Sequence, residues 1–138
     1  ANESLNEINL PKVNKIGSQF MYINNALTKI EMPLVEEIGA SFLRRNKSLK
    51  SIKFPNLKAV ADSFLSDNKD IYEAEMPLLE QLEFHFLFDC VNLFKFSFPK
   101  LNEGSKKSIK NAFDYRANNV FEDDLYEKIV VLSLQFTL

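Results

Sequence analysis

The chain has 138 residues, 46% of them hydrophobic, and a formal charge of −2 with acidic and basic residues mixed. That length is one domain with ample apolar material for a core, and the charge argues against nucleic acid or an anionic membrane as main partner. No stretch approaches the apolar length that spans a bilayer, which argues against membrane insertion. A single cysteine excludes an internal disulfide framework. The sequence as it stands opens without a signal peptide; for a piece of a longer protein that says nothing about secretion.

The five prolines, Pro11, Pro33, Pro55, Pro77 and Pro99, stand 22 residues apart. A spacing that regular marks one short structural unit copied along the chain. In chain order each unit begins with Leu5, Leu27, Leu49, Ile71 or Leu93, followed by Ile8, Ile30, Ile52, Ala74 or Phe96. Before the proline stands Leu10, Met32, Phe54, Met76 or Phe98, and beyond it Val13, Val35, Leu57, Leu79 or Leu101. Ile16, Ile38, Val60 and Leu82 come next, then Phe20, Phe42, Phe64 and Phe86, then Asn24, Asn46, Asn68 and Cys90.

Each part of the unit predicts a local structure. The stretch ahead of the proline holds an i, i+2 apolar pair, which predicts a short strand with one face inward. The proline ends that strand, because it has no N–H for the ladder and its fixed φ turns the chain away. Gly17 and Gly39 follow an inward aliphatic, where a tight or positive-φ corner is expected, and Ala61 and Glu83 in the same column show that the corner is not strictly glycine-dependent. Asn24, Asn46 and Asn68 suit a ladder of amides bonding the backbone of adjacent coils, and Cys90 fits the fourth place as a small, weak donor. One unit cannot stand alone, because its few inward side chains recover less than ordering its backbone costs. Stacking makes up the difference, so the expected architecture is a solenoid.

The unit L-x-x-I-x-Φ-P-x-Φ-x-x-I-G-x-x-F-x-x-x-N-x-x, with Φ any large apolar residue, resembles leucine-rich repeats, specifically the BspA-like (treponemal-type) subclass. Leu27-Thr-Lys-Ile-Glu-Met-Pro-Leu-Val-Glu-Glu-Ile-Gly-Ala-Ser-Phe42 follows that pattern closely. The chain departs by one residue fewer between the proline and the next aliphatic, and by asparagine for cysteine in the ladder. The resemblance covers residues 2–113 and implies a curved, right-handed solenoid of about five rungs, with short parallel strands on the concave face and little helix. It also implies a bacterial surface or secreted protein that meets host or neighbouring-cell proteins, as an adhesin or as an effector. Asparagine in the ladder and the single thiol lean towards the effector.

Both ends of the repeat are readable. Asn2 lies 22 residues before Asn24, so the chain opens at a ladder position with no polar cap. A bare first rung exposes an apolar cross-section and an unpaired strand edge. The expectation is a piece of a longer protein with a cap or further repeats upstream; the alternative is a dimer that covers the first rung. At the other end Ile109-Lys-Asn-Ala-Phe113 repeats the spacing of Ile38 and Phe42 five residues late, which puts an insertion at 102–108. Phe121, Leu125, Ile129 and Leu132 then have helical spacing, and Leu132, Leu134, Phe136 and Leu138 alternate as a strand, so 114–138 reads as a C-terminal cap.

Little here carries catalytic chemistry. His85 is the one histidine and Cys90 the one cysteine. A Cys–His nucleophile pair is conceivable on counting alone, but Cys90 stands in the ladder column and His85 in the variable part of the coil. One histidine and one cysteine cannot supply the convergent ligands of a metal site, and there is no phosphate loop. Asp123 and Asp124 read as helix-start residues. The expectation is no enzyme and no cofactor in these residues; the alternative is a scaffold fused to a catalytic domain absent from this chain.

The outward positions around each strand are the candidate contact surface. They are Asn6, Thr28, Lys50, Tyr72 and Phe94; Glu7, Lys29, Ser51, Glu73 and Lys95; Asn9, Glu31, Lys53, Glu75 and Ser97. Strands about 4.8 Å apart would align Glu31, Lys53 and Glu75 as an alternating ladder, and pair Glu7 with Lys29 and Glu73 with Lys95. Such pairs can simply neutralise the face. The first column is more informative, because it passes from polar residues to the aromatics Tyr72 and Phe94. Lys50, Tyr72, Glu73, Phe94 and Lys95 are therefore the candidate partner-binding residues for a protein ligand. The competing reading is that the C-terminal segment folds over Phe94.

Overall fold

The computed structural model describes residues 4–107 except 84, 87, 88, 91 and 94. Asn2, Phe94, the late Ile109–Phe113 unit and the expected cap at 114–138 lie outside the described residues.

Strands β1 (Glu7–Asn9), β3 (Lys29–Glu31), β5 (Ser51–Lys53), β7 (Glu73–Glu75) and β9 (Lys95–Ser97) recur ahead of the prolines. Their central residues Ile8, Ile30, Ile52 and Ala74 are buried between outward polar neighbours, the one-face pattern expected of such a strand. Pairing is parallel and keeps the sequence period, with Ile8 opposite Ile30, Ile52 opposite Ala74 and Glu73 opposite Lys95. The chain is a parallel β-solenoid with little helix among the described residues, and its coils recur every 22 residues.

Each proline holds the second position of a β-turn. The N–H of Val13 reaches the Leu10 carbonyl at 3.4 Å, and Val35, Leu57, Leu79 and Leu101 repeat that bond to Met32, Phe54, Met76 and Phe98. Beyond the turn comes a strand that the sequence pattern did not show. β2 (Lys15–Ile16), β4 (Glu37–Ile38), β6 (Ala59–Val60) and β8 (Gln81–Leu82) form one continuous parallel sheet. Two residues are too few for an alternating pattern, so only the single inward aliphatic was visible in the sequence. The first-strand side is less continuous: β1–β3 and β5–β7–β9 are separate sheets.

The core fills with apolar columns that keep the 22-residue period. Phe20, Phe42, Phe64 and Phe86 stack with centroids 5.6–6.2 Å apart and planes within 11° of parallel. Leu27, Leu49, Ile71 and Leu93 line another column, all buried. A further buried column, Met21, Leu43 and Leu65, escaped the sequence reading although it keeps the same period.

A turn begins directly after Gly17 and Gly39, but the positive φ is not theirs: no described glycine has it. The left-handed positions are Gln19, Ser41, Ser63 and His85, and Ile23, Arg45, Asp67 and Asp89, all with φ between 54° and 63°. Their role is to aim N–H groups along the solenoid. Gln19 donates to the Ala40 carbonyl at 2.8 Å, Ser41 to Asp62 at 2.9 Å, Ile23 to Arg44 at 3.0 Å and Arg45 to Ser66 at 3.1 Å. A β-branched Ile23 at φ 54° is unusual, and the inter-coil bond is what holds it there. Gly39 serves a different need. A Cβ there would lie 2.6 Å from the Ser18 nitrogen and 2.8 Å from the Gly17 carbonyl carbon, so the glycine allows two backbones to approach.

Register holds as far as Asn102, whose N–H bonds the Glu80 carbonyl at 3.0 Å. Residues 103–107 are then helical, with Asn102 Oδ1 accepting the Ser105 N–H at 2.8 Å as an N-cap. The Ser105 hydroxyl accepts the Leu82 N–H at 3.2 Å and so closes the outer edge of β8.

Candidate functional site on the outward face of the first strands

Main-chain hydrogen bonds set the candidate residues side by side. Tyr72 N–H bonds the Lys50 carbonyl at 2.9 Å, and Lys95 N–H bonds the Tyr72 carbonyl at 3.0 Å. Lys50, Tyr72 and Lys95 therefore occupy three successive coils, with Glu73 next to Tyr72 on β7. Tyr72 is 39% exposed, one of the large hydrophobic side chains turned outward among the described residues. Phe94 lies outside the described residues, so the face is drawn without it.

The charges around Tyr72 have partners. Lys95 Nζ meets Glu73 Oε1 at 2.7 Å, and Lys50 Nζ meets Asp70 Oδ2 at 3.1 Å. Glu73 is the more enclosed member of its pair, with a side chain 14% exposed against 64% for Lys95. The hydrogen bond from Lys95 holds the Glu73 carboxyl below its usual range, against the opposing effect of desolvation. The same bond raises the Lys95 ammonium, with further support from Glu73 and Glu75 charges.

The alternating ladder forms only in its second half. Lys53 pairs with Glu75 at 3.3 Å, but Lys29 turns along its own strand to Glu31 at 2.9 Å. That bond to Glu31 is also the first cause of the raised Lys29 pKa, with Glu7 contributing last and through charge alone. The exchange of partners coincides with the boundary between the two first-strand sheets, β3 and β5.

The ladder residues are spent on structure. Buried Asn24 donates to the Leu5 carbonyl at 3.2 Å, Asn46 to Met21 at 3.0 Å and Asn68 to Leu43 at 2.6 Å. Asn68 Oδ1 also accepts the Asn46 N–H at 3.0 Å, tying coil to coil. Cys90 is fully buried, and its thiol donates to the Leu65 carbonyl at 2.8 Å. His85 instead turns its ring to Asp62, with Nδ1 3.3 Å from Oδ1. Among the described residues no group of three or more His, Cys, Asp or Glu side chains is placed to hold a metal ion. No described helix is long and apolar enough to cross a membrane.

One surface escaped the sequence reading. A groove of about 590 Å³ runs across several coils, lined among others by Arg45, Lys47, Asp67, Lys69, Asp70 and Asp89. Lys47 and Lys69, and Asp67 and Asp89, keep the 22-residue period and were the signal in the sequence that could have shown it. No protein-family model, curated protein or solved structure matches this chain.

Proposed function

We propose that this chain is a protein-binding module of the leucine-rich-repeat kind, BspA-like in type, acting through the outward face of its first strands. The observation that supports this reading is Tyr72, an aromatic 39% exposed just ahead of β7, between Lys50 and the Glu73–Lys95 pair. An amphipathic ring bordered by charges is the composition of an interface hot spot. Parallel strands about 4.8 Å apart hold these side chains in fixed register, so little ordering entropy is lost when a partner docks. A bacterial surface or secreted setting, with host or neighbouring-cell proteins as partners, belongs to the same proposal and rests on the repeat's resemblance.

The test is affinity capture with the immobilised chain and its Tyr72→Ala variant, against surface and secreted proteins of candidate host cells. The variant is expected to weaken specific capture by about tenfold or more, the usual effect of truncating a hot-spot aromatic. If the two chains retain the same proteins equally well, Tyr72 is not the contact and the face is not the binding surface.

A further inference from the structure

The groove carries an uneven charge. Arg44 and Arg45 both aim Nε at one atom, Asp67 Oδ2, at 3.0 and 3.4 Å, so a single carboxylate serves two guanidiniums. Two positions on, Lys47 has no ion-pair partner among the described residues. Further along the groove Lys69 meets Asp89 at 3.8 Å and Asp70 meets Lys50 at 3.1 Å, which leaves that half neutral. Arg45 and Lys47 of the lining, set against Asp67, give the other half a surplus of one positive charge, and Arg44 beside the groove shares that same carboxylate, on a chain whose net charge is −2.

We propose that this groove binds an extended acidic peptide segment, with its carboxylates over Arg45 and Lys47 of the lining and Arg44 beside them across Asp67. Guanidinium and ammonium groups are the natural partners of carboxylates; both arginines meet Asp67 through Nε, and Arg45 Nη1 donates to the Tyr22 hydroxyl at 3.3 Å. Size agrees with a short strand of peptide. From Ile23 to Asp89 the groove crosses three inter-coil steps of about 4.8 Å, roughly 14 Å, which spans about four extended residues. The far half, where Asp70 and Asp89 are balanced by Lys50 and Lys69, offers no net attraction to a ligand charged at every step, so a spaced acidic peptide fits better than a nucleic acid. Tyr72 does not line this groove, which meets that patch through the Asp70–Lys50 pair.

The test is fluorescence anisotropy with a labelled octapeptide carrying two adjacent glutamates among glycines and serines, and its glutamine counterpart. The glutamate peptide is expected to bind and the glutamine one to bind at least about tenfold more weakly, with affinity falling as salt rises from low to physiological strength. Lys47→Glu breaks no ion pair and is expected to weaken binding by about three- to tenfold, while Tyr72→Ala leaves it unchanged. Equal binding of the two peptides, no binding of either, or Lys47→Glu binding like wild type overturns the proposal. Displacement by inorganic phosphate as readily as by unlabelled glutamate peptide also overturns it, and assigns the arginines to a simple anion.

Discussion

Phe20 and Phe42 hold the same place in successive coils and stack at 6.2 Å, yet Phe20 is 56% exposed and Phe42 wholly buried. Phe42 lies between two rings, Phe20 and Phe64, whereas Phe20 meets a ring on one side only. The same contrast runs through the first coil. Leu10 and Ile16 are partly buried where Met32 and Ile38 are buried. In a solenoid, burial belongs to the stack and not to the residue, because each coil's core is completed by its neighbours. An identical side chain is therefore worth different amounts in different coils.

The largest effect should come from cutting the ring stack. Phe64→Ala is expected to cost about 3–5 kcal/mol in urea denaturation, as a fully buried phenylalanine does, and Phe20→Ala about 1 kcal/mol or less. Equal costs would mean that the stack does not decide burial energy. A smaller contrast separates Gly39 from Gly17. Alanine at Gly39 drives a Cβ onto the backbone of the preceding coil and should cost about 1–3 kcal/mol. Gly17 has open space at that point, so Gly17→Ala should be neutral or stabilising by up to about 1 kcal/mol in thermal melts.

The smallest effect concerns the Glu73–Lys95 pair, and it is read from pH. Lys95 lowers the folded-state pKa of Glu73, so its contribution is present above the unfolded carboxylate pKa and fades as pH falls through the folded value. The folded-state pKa of Lys95 is raised, so its contribution is present below the unfolded lysine pKa and fades as pH rises through the folded value. Glu73→Gln should therefore lower the melting temperature at neutral pH, and the difference from wild type should close in acid. A gap that is constant from neutral pH to pH 2 would show that packing, not charge, is lost.

Much of the fold is legible in the sequence, and particular residues show why. Ile30, Leu49 and Leu57 stand in columns that repeat every 22 residues, and each is buried. Met21, Leu43 and Leu65 kept the same period and could have been read, but no motif drew attention to them. The candidate site was legible only as a set of neighbours. Register put Lys50 beside Tyr72 and Glu73 beside Lys95, whereas the expected Glu31–Lys53 step gave way to Lys29 bonding Glu31.

What the string of residues decides is whatever repeats: the period, the inward apolar columns, the proline turns and the amide ladder. These follow from one unit's composition, since solvent sorts apolar from polar side chains in the same way each time. What the folded chain alone decides is whatever depends on the space between coils. The left-handed φ of Gln19 and Ile23, the backbone approach at Gly39, the half-exposed Phe20 and the two arginines on Asp67 are of that kind. Each is set by hydrogen bonds, contacts or charges from residues about 22 positions away, which no local pattern encodes.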